Sequence, residues 1–200
     1  MKKTITTVII LLFSIISFAQ KGSYVLRLSK VEVGNSEVGL IHIDSIKPSK
    51  IMLYKSNYTD SLISVTFEEG LSSIPFELTN KSNNTLKIIW NDAAYINPKS
   101  NTGKIMHTGV KYIDRNNDQP STSIIKGAKI TDQATPTENI YYSSGTNGGW
   151  SELNLLPHIG KGDEKTLIGK TVKLLLPIQS GAKQHDYVFT FDIIFNEYKK

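Results

Sequence analysis

Short runs of alternating apolar and polar residues recur along the chain, at residues 51–55, 62–68, 74–80, 85–90, 104–108, 172–177 and 186–195. A period of two carried by β-branched and aromatic side chains predicts a β-strand in each run. Between them lie Glu69-Gly70, Asn80-Lys81-Ser82-Asn83-Asn84, Asn97-Pro98 and Gln179-Ser180-Gly181-Ala182. Such residues cap turns or tolerate positive φ. No helical period is sustained beyond the N-terminal segment, so the pattern predicts an all-β chain of antiparallel strands, in a sandwich or barrel.

The clearest local unit is residues 74–80, a polar turn, then residues 85–90, which together predict a hairpin. Phe76 and Leu78 alternate with Glu77 and Thr79, while Leu86, Ile88 and Trp90 alternate with Lys87 and Ile89. Each strand thus offers one apolar face to a core. The predicted core faces are Phe76, Leu78, Ile88, Trp90, Leu174, Leu176, Phe189, Phe191 and Ile193, with the strands at 172–177 and 186–195 paired across the turn at 177–184. Trp90 continues the buried register and reads as a core anchor; its other reading is a sugar-stacking platform. Residues 114–139 are rich in Asp, Asn, Gln, Thr, Ser and Pro. They predict a long connection with one short strand at its centre.

The N-terminal end has the anatomy of a secretory signal: Lys2-Lys3, an apolar run from Val8 to Ile16 and a small-residue exit at Ser17-Phe18-Ala19. A membrane anchor is the competing reading, but the uncharged stretch at 4–19 falls short of the roughly 20 apolar residues a bilayer requires. The expectation is therefore a signal peptide over residues 1–19, cut after Ala19, and an exported product, periplasmic or secreted, with no integral membrane segment after cleavage. Residues 20–49 are expected to be an N-terminal extension or the first strands, and 50–200 the sandwich domain. The sequence has no cysteine. That removes disulfides and lipid attachment at a lipobox, so the fold must hold by packing. Of 23 Lys and Arg, two stand at positions 2 and 3, leaving 21 against 18 Asp and Glu, a net charge of +3. It is spread without a long basic run, unlike the concentrated stripe of a nucleic-acid binder.

The stretch from Phe76 to Trp90, a Phe-x-Leu-x-Asn strand followed by an Asn-rich turn, resembles bacterial immunoglobulin-like sandwich domains, including those of the late-embryogenesis-abundant type. That resemblance implies an immunoglobulin-like topology for the sandwich. Residues 74–142 also resemble uncharacterised exported proteins of the Bacteroidota, through Trp90-Asn91-Asp92-Ala93, the segment Met106-His107-Thr108-Gly109-Val110-Lys111-Tyr112 and the segment Ile124-Ile125-Lys126-Gly127-Ala128. No activity comes with this second resemblance. In that lineage Asp44-Ser45-Ile46 and Asp60-Ser61-Leu62 look like Asp-Ser/Thr-aliphatic acceptors for O-glycosylation, which makes Ser45 and Ser61 candidate sites.

Candidate chemistry is sparse. His42, His107, His158 and His185 are scattered, with no partner at metal-ligand spacing, and His107 reads as a buried histidine bonded to a backbone carbonyl. Asp114-Arg115-Asn116-Asn117-Asp118 opens like a calcium loop. It then departs from one, because Gln119 stands where the turning glycine belongs and Ile125 where the twelfth-position Glu belongs. Gly160-Lys161-Gly162-Asp163 lacks the order of a phosphate loop, and no Gly-x-Ser-x-Gly elbow occurs. These absences predict neither catalytic residues nor a metal or cofactor. The expected role is a non-catalytic exported module with an envelope protein or glycan as partner and no nucleic acid. The alternative is an exported carbohydrate-acting hydrolase using loop carboxylates such as Glu68, Glu69 and Glu152. Candidate ligand contacts are Tyr141, Tyr142 and Trp150 around Gly148-Gly149, where glycine permits close approach and aromatics give contact area at low entropic cost. The competing expectation puts both tyrosines in a strand and folds Trp150 back as a lid over the sandwich end.

Overall fold

A computed structural model of the chain describes residues 22–34, 36–37, 40–46, 53–146, 148–159 and 166–197. The expected signal segment at 1–19, the new terminus at Gln20 and the glycine-rich stretch at 160–165 lie outside the described residues. The strands are β1 (Gly22–Val33), β2 (Ser36–Glu37), β3 (Leu40–Ile46), β4 (Leu53–Thr59), β5 (Ile63–Phe67), β6 (Ile74–Asn80), β7 (Leu86–Ile88) and β8 (Ala94–Ile96). They continue with β9 (Thr102–Met106), β10 (Thr122–Ile124), β11 (Lys129–Pro136), β12 (Ile140–Ser143), β13 (Gly149–Glu152), β14 (Thr171–Ser180) and β15 (Lys183–Glu197). The chain is all-β and antiparallel, as its alternation predicts.

The main hydrogen-bonded path runs β2-β1-β15-β14-β8-β9-β11-β6-β5-β4-β3, with β7 pairing β14 and β10 pairing β7. Only two residue pairs join β9 to β11, Met106 with Thr135 and Ile105 with Pro136. The path turns there, bringing the β4-β5-β6 side over the β1-β15-β14 side. Phe67 of β5 meets Phe189 at 4.8 Å and Phe191 at 5.1 Å between ring centroids, both on β15. At the other end β1 contacts β3 and β4, so the sheet nearly closes into a barrel-like shape.

Alternation explains which faces turn inward. In β5 the buried residues are Ile63, Val65 and Phe67, and in β6 Ile74, Phe76, Leu78 and Asn80, each separated by a half-exposed neighbour. All nine predicted core residues are buried and belong to one cluster. Burying an aliphatic or aromatic side chain contributes about 1.5–3 kcal/mol, so these faces suffice to drive collapse without disulfides. β14 and β15 pair as expected from the sequence, but the hairpin is tighter: Ser180 faces Lys183, leaving only Gly181 and Ala182 in the turn.

The predicted hairpin of residues 74–80 with 85–90 does not form. β6 pairs β5 and β11, whereas β7 pairs β10 and β14. The polar run 80–84 instead carries the chain from one side of the core to the other. Asn80 makes that crossing possible, because its fully buried amide donates to the carbonyls of Asn84 (2.7 Å) and Ile124 (2.8 Å) and accepts from the amide and hydroxyl of Ser82. The segment at 114–139 also holds more order than one central strand, for it contains both β10 and β11. Buried Gln119 fastens its start, donating to Ile105 O at 2.7 Å and accepting from the His107 amide. Residues 22–33 are a core strand, β1, bulged between Leu28 and Lys30.

Gly70 sits in the β5–β6 connection where a Cβ would fall 2.3 Å from Ser73 O and 2.7 Å from Pro75 Cδ. Because both obstacles belong to the backbone or to a rigid ring, the loop itself must shift to admit a methyl group. Gly70→Ala is expected to lower the unfolding free energy by about 1–3 kcal/mol, read as a smaller urea midpoint at unchanged slope.

Candidate functional site

β12 and β13 form a separate two-stranded hairpin, with Ile140 opposite Glu152, Tyr141 opposite Ser151, Tyr142 opposite Trp150 and Ser143 opposite Gly149. Its turn depends on Gly148, whose Cβ would meet Ser143 O at 2.4 Å. The close approach that glycine permits is thus spent on the hairpin's own backbone. Period two puts Tyr142 and Trp150 on one face and Tyr141 on the other. The rings of Tyr142 and Trp150 lie edge to face with centroids 5.4 Å apart. Tyr142 is 61% exposed and Trp150 36% exposed, against almost complete burial for Trp90.

Two residues from the 3₁₀ turn at Tyr112–Asp114 and its flank complete the cluster. Tyr112 lies 6.1 Å from the Trp150 ring, and the Arg115 guanidinium carbon stands 5.0 Å over it. Arg115 is aimed by donating from Nη1 to Tyr112 O at 2.9 Å, which makes the cation–π contact part of the turn. The Tyr112 hydroxyl donates to Glu152 Oε1 at 2.6 Å, and the Ser72 hydroxyl donates to Glu152 Oε2. The Glu152 carboxylate, chiefly through that hydrogen bond, holds the Tyr112 hydroxyl above its ordinary pKa. The hairpin is therefore tied to both the Tyr112 turn and the β5–β6 connection. Tyr141 and Tyr142 both lie in strand β12, and the Trp150 ring meets Tyr112, Tyr142 and Arg115.

The sequence pointed to Tyr141, Tyr142 and Trp150; the structure brings together the last two, sets Tyr141 apart and adds Tyr112, Arg115 and Glu152. In the sequence Arg115 stood out only as a member of the calcium-like run 114–118. Within that run Asn117 Nδ2 donates to Asp114 Oδ1 at 3.1 Å and closes a turn. Among the described residues no three His, Asp or Glu side chains converge as a metal site requires.

His107 does have a carboxylate partner, contrary to the expected backbone carbonyl: Nδ1 lies 3.3 Å from Asp132 Oδ2. Its ring stacks on Trp90 at 4.3 Å with the planes 3° apart. Asp132 also accepts from the amides of Thr108 and Gln133, both at 2.8 Å. The pair is built into the wall of the core and closes the β9 end against β11.

Ser61 is exposed in the turn between β4 and β5. Its neighbour Asp60 faces inward, accepting from Tyr58 at 3.0 Å, Tyr187 at 2.7 Å and the amides of Leu62 and Ile63 at 2.8 Å. Burial first, and the Asp60 carboxylate second, push both phenols far above their ordinary pKa. Ser45 lies in β3 opposite Tyr54.

A cavity of about 320 Å³ opens between the start of β1, the β5–β6 connection and residues 154–159. Glu68 and Glu69 line it, and Glu68 Oε1 is 2.5 Å from Lys55 Nζ. That hydrogen bond and charge raise the pKa of Lys55. Among the described residues no helix is long and apolar enough to cross a membrane. Comparison with protein-family models, curated proteins and solved structures returned no match.

Proposed function

We propose that the protein is an exported, non-catalytic binding module of the cell envelope, periplasmic or secreted, whose ligand is an envelope glycan. Export rests on the charged, apolar and small-residue order of positions 1–19. An immunoglobulin-like sandwich is the finer reading of the fold, supported by the two opposed sides of the sheet and the two-pair β9–β11 junction. The observation that carries the function is the exposed Tyr142–Trp150 face, held in one arrangement by Tyr112, Arg115 and Glu152. Aromatic faces offer broad apolar contact at small entropic cost, while the guanidinium and carboxylate beside them supply directional hydrogen bonds to hydroxyl groups. A sugar presents both kinds of surface.

The test is retention of the purified protein in affinity electrophoresis through envelope polysaccharide. Tyr142→Ala and Trp150→Ala are each expected to abolish retardation, with unfolding free energy moved by about 0.5 kcal/mol or less for the exposed tyrosine. Retardation unchanged in both variants defeats the reading. The carbohydrate-acting hydrolase is a second reading, favoured only by the presence of Glu68 and Glu69 in one cavity. Release of reducing ends from the same polysaccharide, lost in Glu69→Gln, would establish it instead.

A further inference from the structure

The β12–β13 hairpin leaves one strand edge open. Leu153 N donates to Asn139 O at 2.8 Å, so these two residues face each other as a bonded pair. Alternation along the register makes Tyr141 with Ser151 and Ser143 with Gly149 bonded pairs as well. Ile140 and Tyr142 therefore turn their backbone N–H and C=O away from β13. The outward N–H of Ile140 is taken by Thr137 O. Among the described residues neither the N–H nor the C=O of Tyr142 meets a partner, and the strand is exposed from Tyr141 to Ser143.

An open edge is a template for pairing with another chain, and proteins ordinarily guard one with a charge, a proline or a very short strand. The main sheet keeps to that practice: β2 is two residues long, β10 is three, and β3 lies against β1. β12 has no such guard. Residues 139–151 contain no charged residue and no proline, and an isolated two-stranded ribbon gains stability from further strands. The edge is also self-complementary. Antiparallel pairing about a two-fold axis sets a segment against itself, which in a charged strand can oppose like charges; here there is none to oppose. With Tyr142 facing its own copy, each outward N–H meets the other's C=O, and Trp150, Tyr142, Tyr142 and Trp150 fall in one row on one face.

We propose that two copies of this chain associate edge to edge through β12, forming a four-stranded antiparallel sheet in which Tyr142 of each copy bonds to Tyr142 of the other. Pairing at an edge leaves the faces of the sheet open, so the Tyr142–Trp150 face is extended by the same two rings of the second copy. Association itself requires no glycan, and either proposal can fail without the other.

Sedimentation equilibrium of the purified protein, without polysaccharide, provides the test. The weight-average mass is expected to climb with loading toward twice that of one chain, within a range reaching about 1 mM because small interfaces are weak. Tyr142→Pro removes only the outward N–H and breaks no hairpin bond, a placement that edge strands tolerate. It is expected to leave the protein monomeric, as is Tyr142→Lys, which sets two like charges opposite each other. Tyr142→Phe should associate like the native chain. Because the sequence has no cysteine, Tyr142→Cys also reports the register: the facing Cα atoms stand about 5.5 Å apart, within disulfide reach, so oxidised glutathione should convert this variant to a covalent dimer. Tyr141→Cys, displaced from its own copy along the strand and on the other face, should stay largely uncrosslinked. A native protein that remains monomeric throughout the range overturns the proposal. So does native-like association of Tyr142→Lys, which decides alone if Tyr142→Pro disturbs the hairpin, and so does crosslinking of Tyr141→Cys as fast as Tyr142→Cys.

Discussion

Trp90→Ala is expected to lower the unfolding free energy by about 3–5 kcal/mol. The indole is 1% exposed and lies in the 3₁₀ turn at Trp90–Asp92, between β7 and β8, where the chain leaves one strand pair for another. It packs on Phe76 at 6.5 Å on one side and stacks on His107 at 4.3 Å on the other. Its Nε1 donates to Thr122 Oγ1 at 2.8 Å, tying the turn to β10. Alanine would remove the transfer energy of the ring and leave a cavity bounded by two further rings, while Thr122 loses a partner. Trp90→Phe keeps most of the area and should cost less, about 1–3 kcal/mol, chiefly the lost hydrogen bond and imperfect filling. Urea melts with an unchanged slope would give both values. A loss under about 1 kcal/mol for alanine would show that the ring is not a core anchor. Its burial leaves no room for the sugar-stacking role that the sequence left open.

The contrast between Trp90 and Trp150 shows what the pattern could and could not reveal. Trp90 extends a period-two run, and a residue in register with Leu86 and Ile88 goes where they go. Trp150 follows two glycines and precedes Ser151, which marks a loop or hairpin end but says nothing of its neighbours. Tyr112 and Arg115 reach it through tertiary placement alone, as no local spacing links them to position 150. Strands followed the same division. β5, β6, β14 and β15 each bury one face, so alternation exposes them to view. β1 pairs along nearly its whole length with β15, yet its bulge breaks the period after Leu28. β10 is three residues long, and β11 buries Asp132 and Thr135, with buried Thr137 just past its end, so polar composition left one short strand legible where there are two.

The misread hairpin has the same physical origin. An Asn-rich run between two alternating segments satisfies the local chemistry of a turn, and local chemistry cannot say whether the strands it joins will pair. What decides is that Asn80 is wholly buried and its amide serves carbonyls from two places, Asn84 nearby and Ile124 across the crossing. A solvated hairpin turn would have left that side chain in water. Backbone bonds from Asn80 N to Ala128 O at 2.9 Å and from Gly127 N to Asn80 O at 3.0 Å fix the same point to β11's leading turn.

Asn80→Asp should therefore be among the most damaging single-atom changes in the protein. The substitution replaces the two N–H donors with oxygen, opposing the carbonyls of Asn84 and Ile124, while the bonds received from Ser82 survive. Burying an uncompensated charge costs about 3–5 kcal/mol, and near neutral pH the variant is expected to lose that much. The sign of the pH dependence follows from the site. A carboxyl with no cation beside it and two facing acceptors is held protonated in the folded state, so its folded pKa lies above the unfolded one. The folded variant then binds more protons than the unfolded chain as pH rises above about 4, and stability relative to the native protein falls across that window. Below it, one O–H donor is restored and one carbonyl still lacks a partner, leaving a deficit of about 1–3 kcal/mol. Urea melts of both proteins at several pH values between 4 and 7 would measure the difference. A deficit that stays constant or shrinks with rising pH would mean that Asn80 lies in water and that the crossing is held by something else.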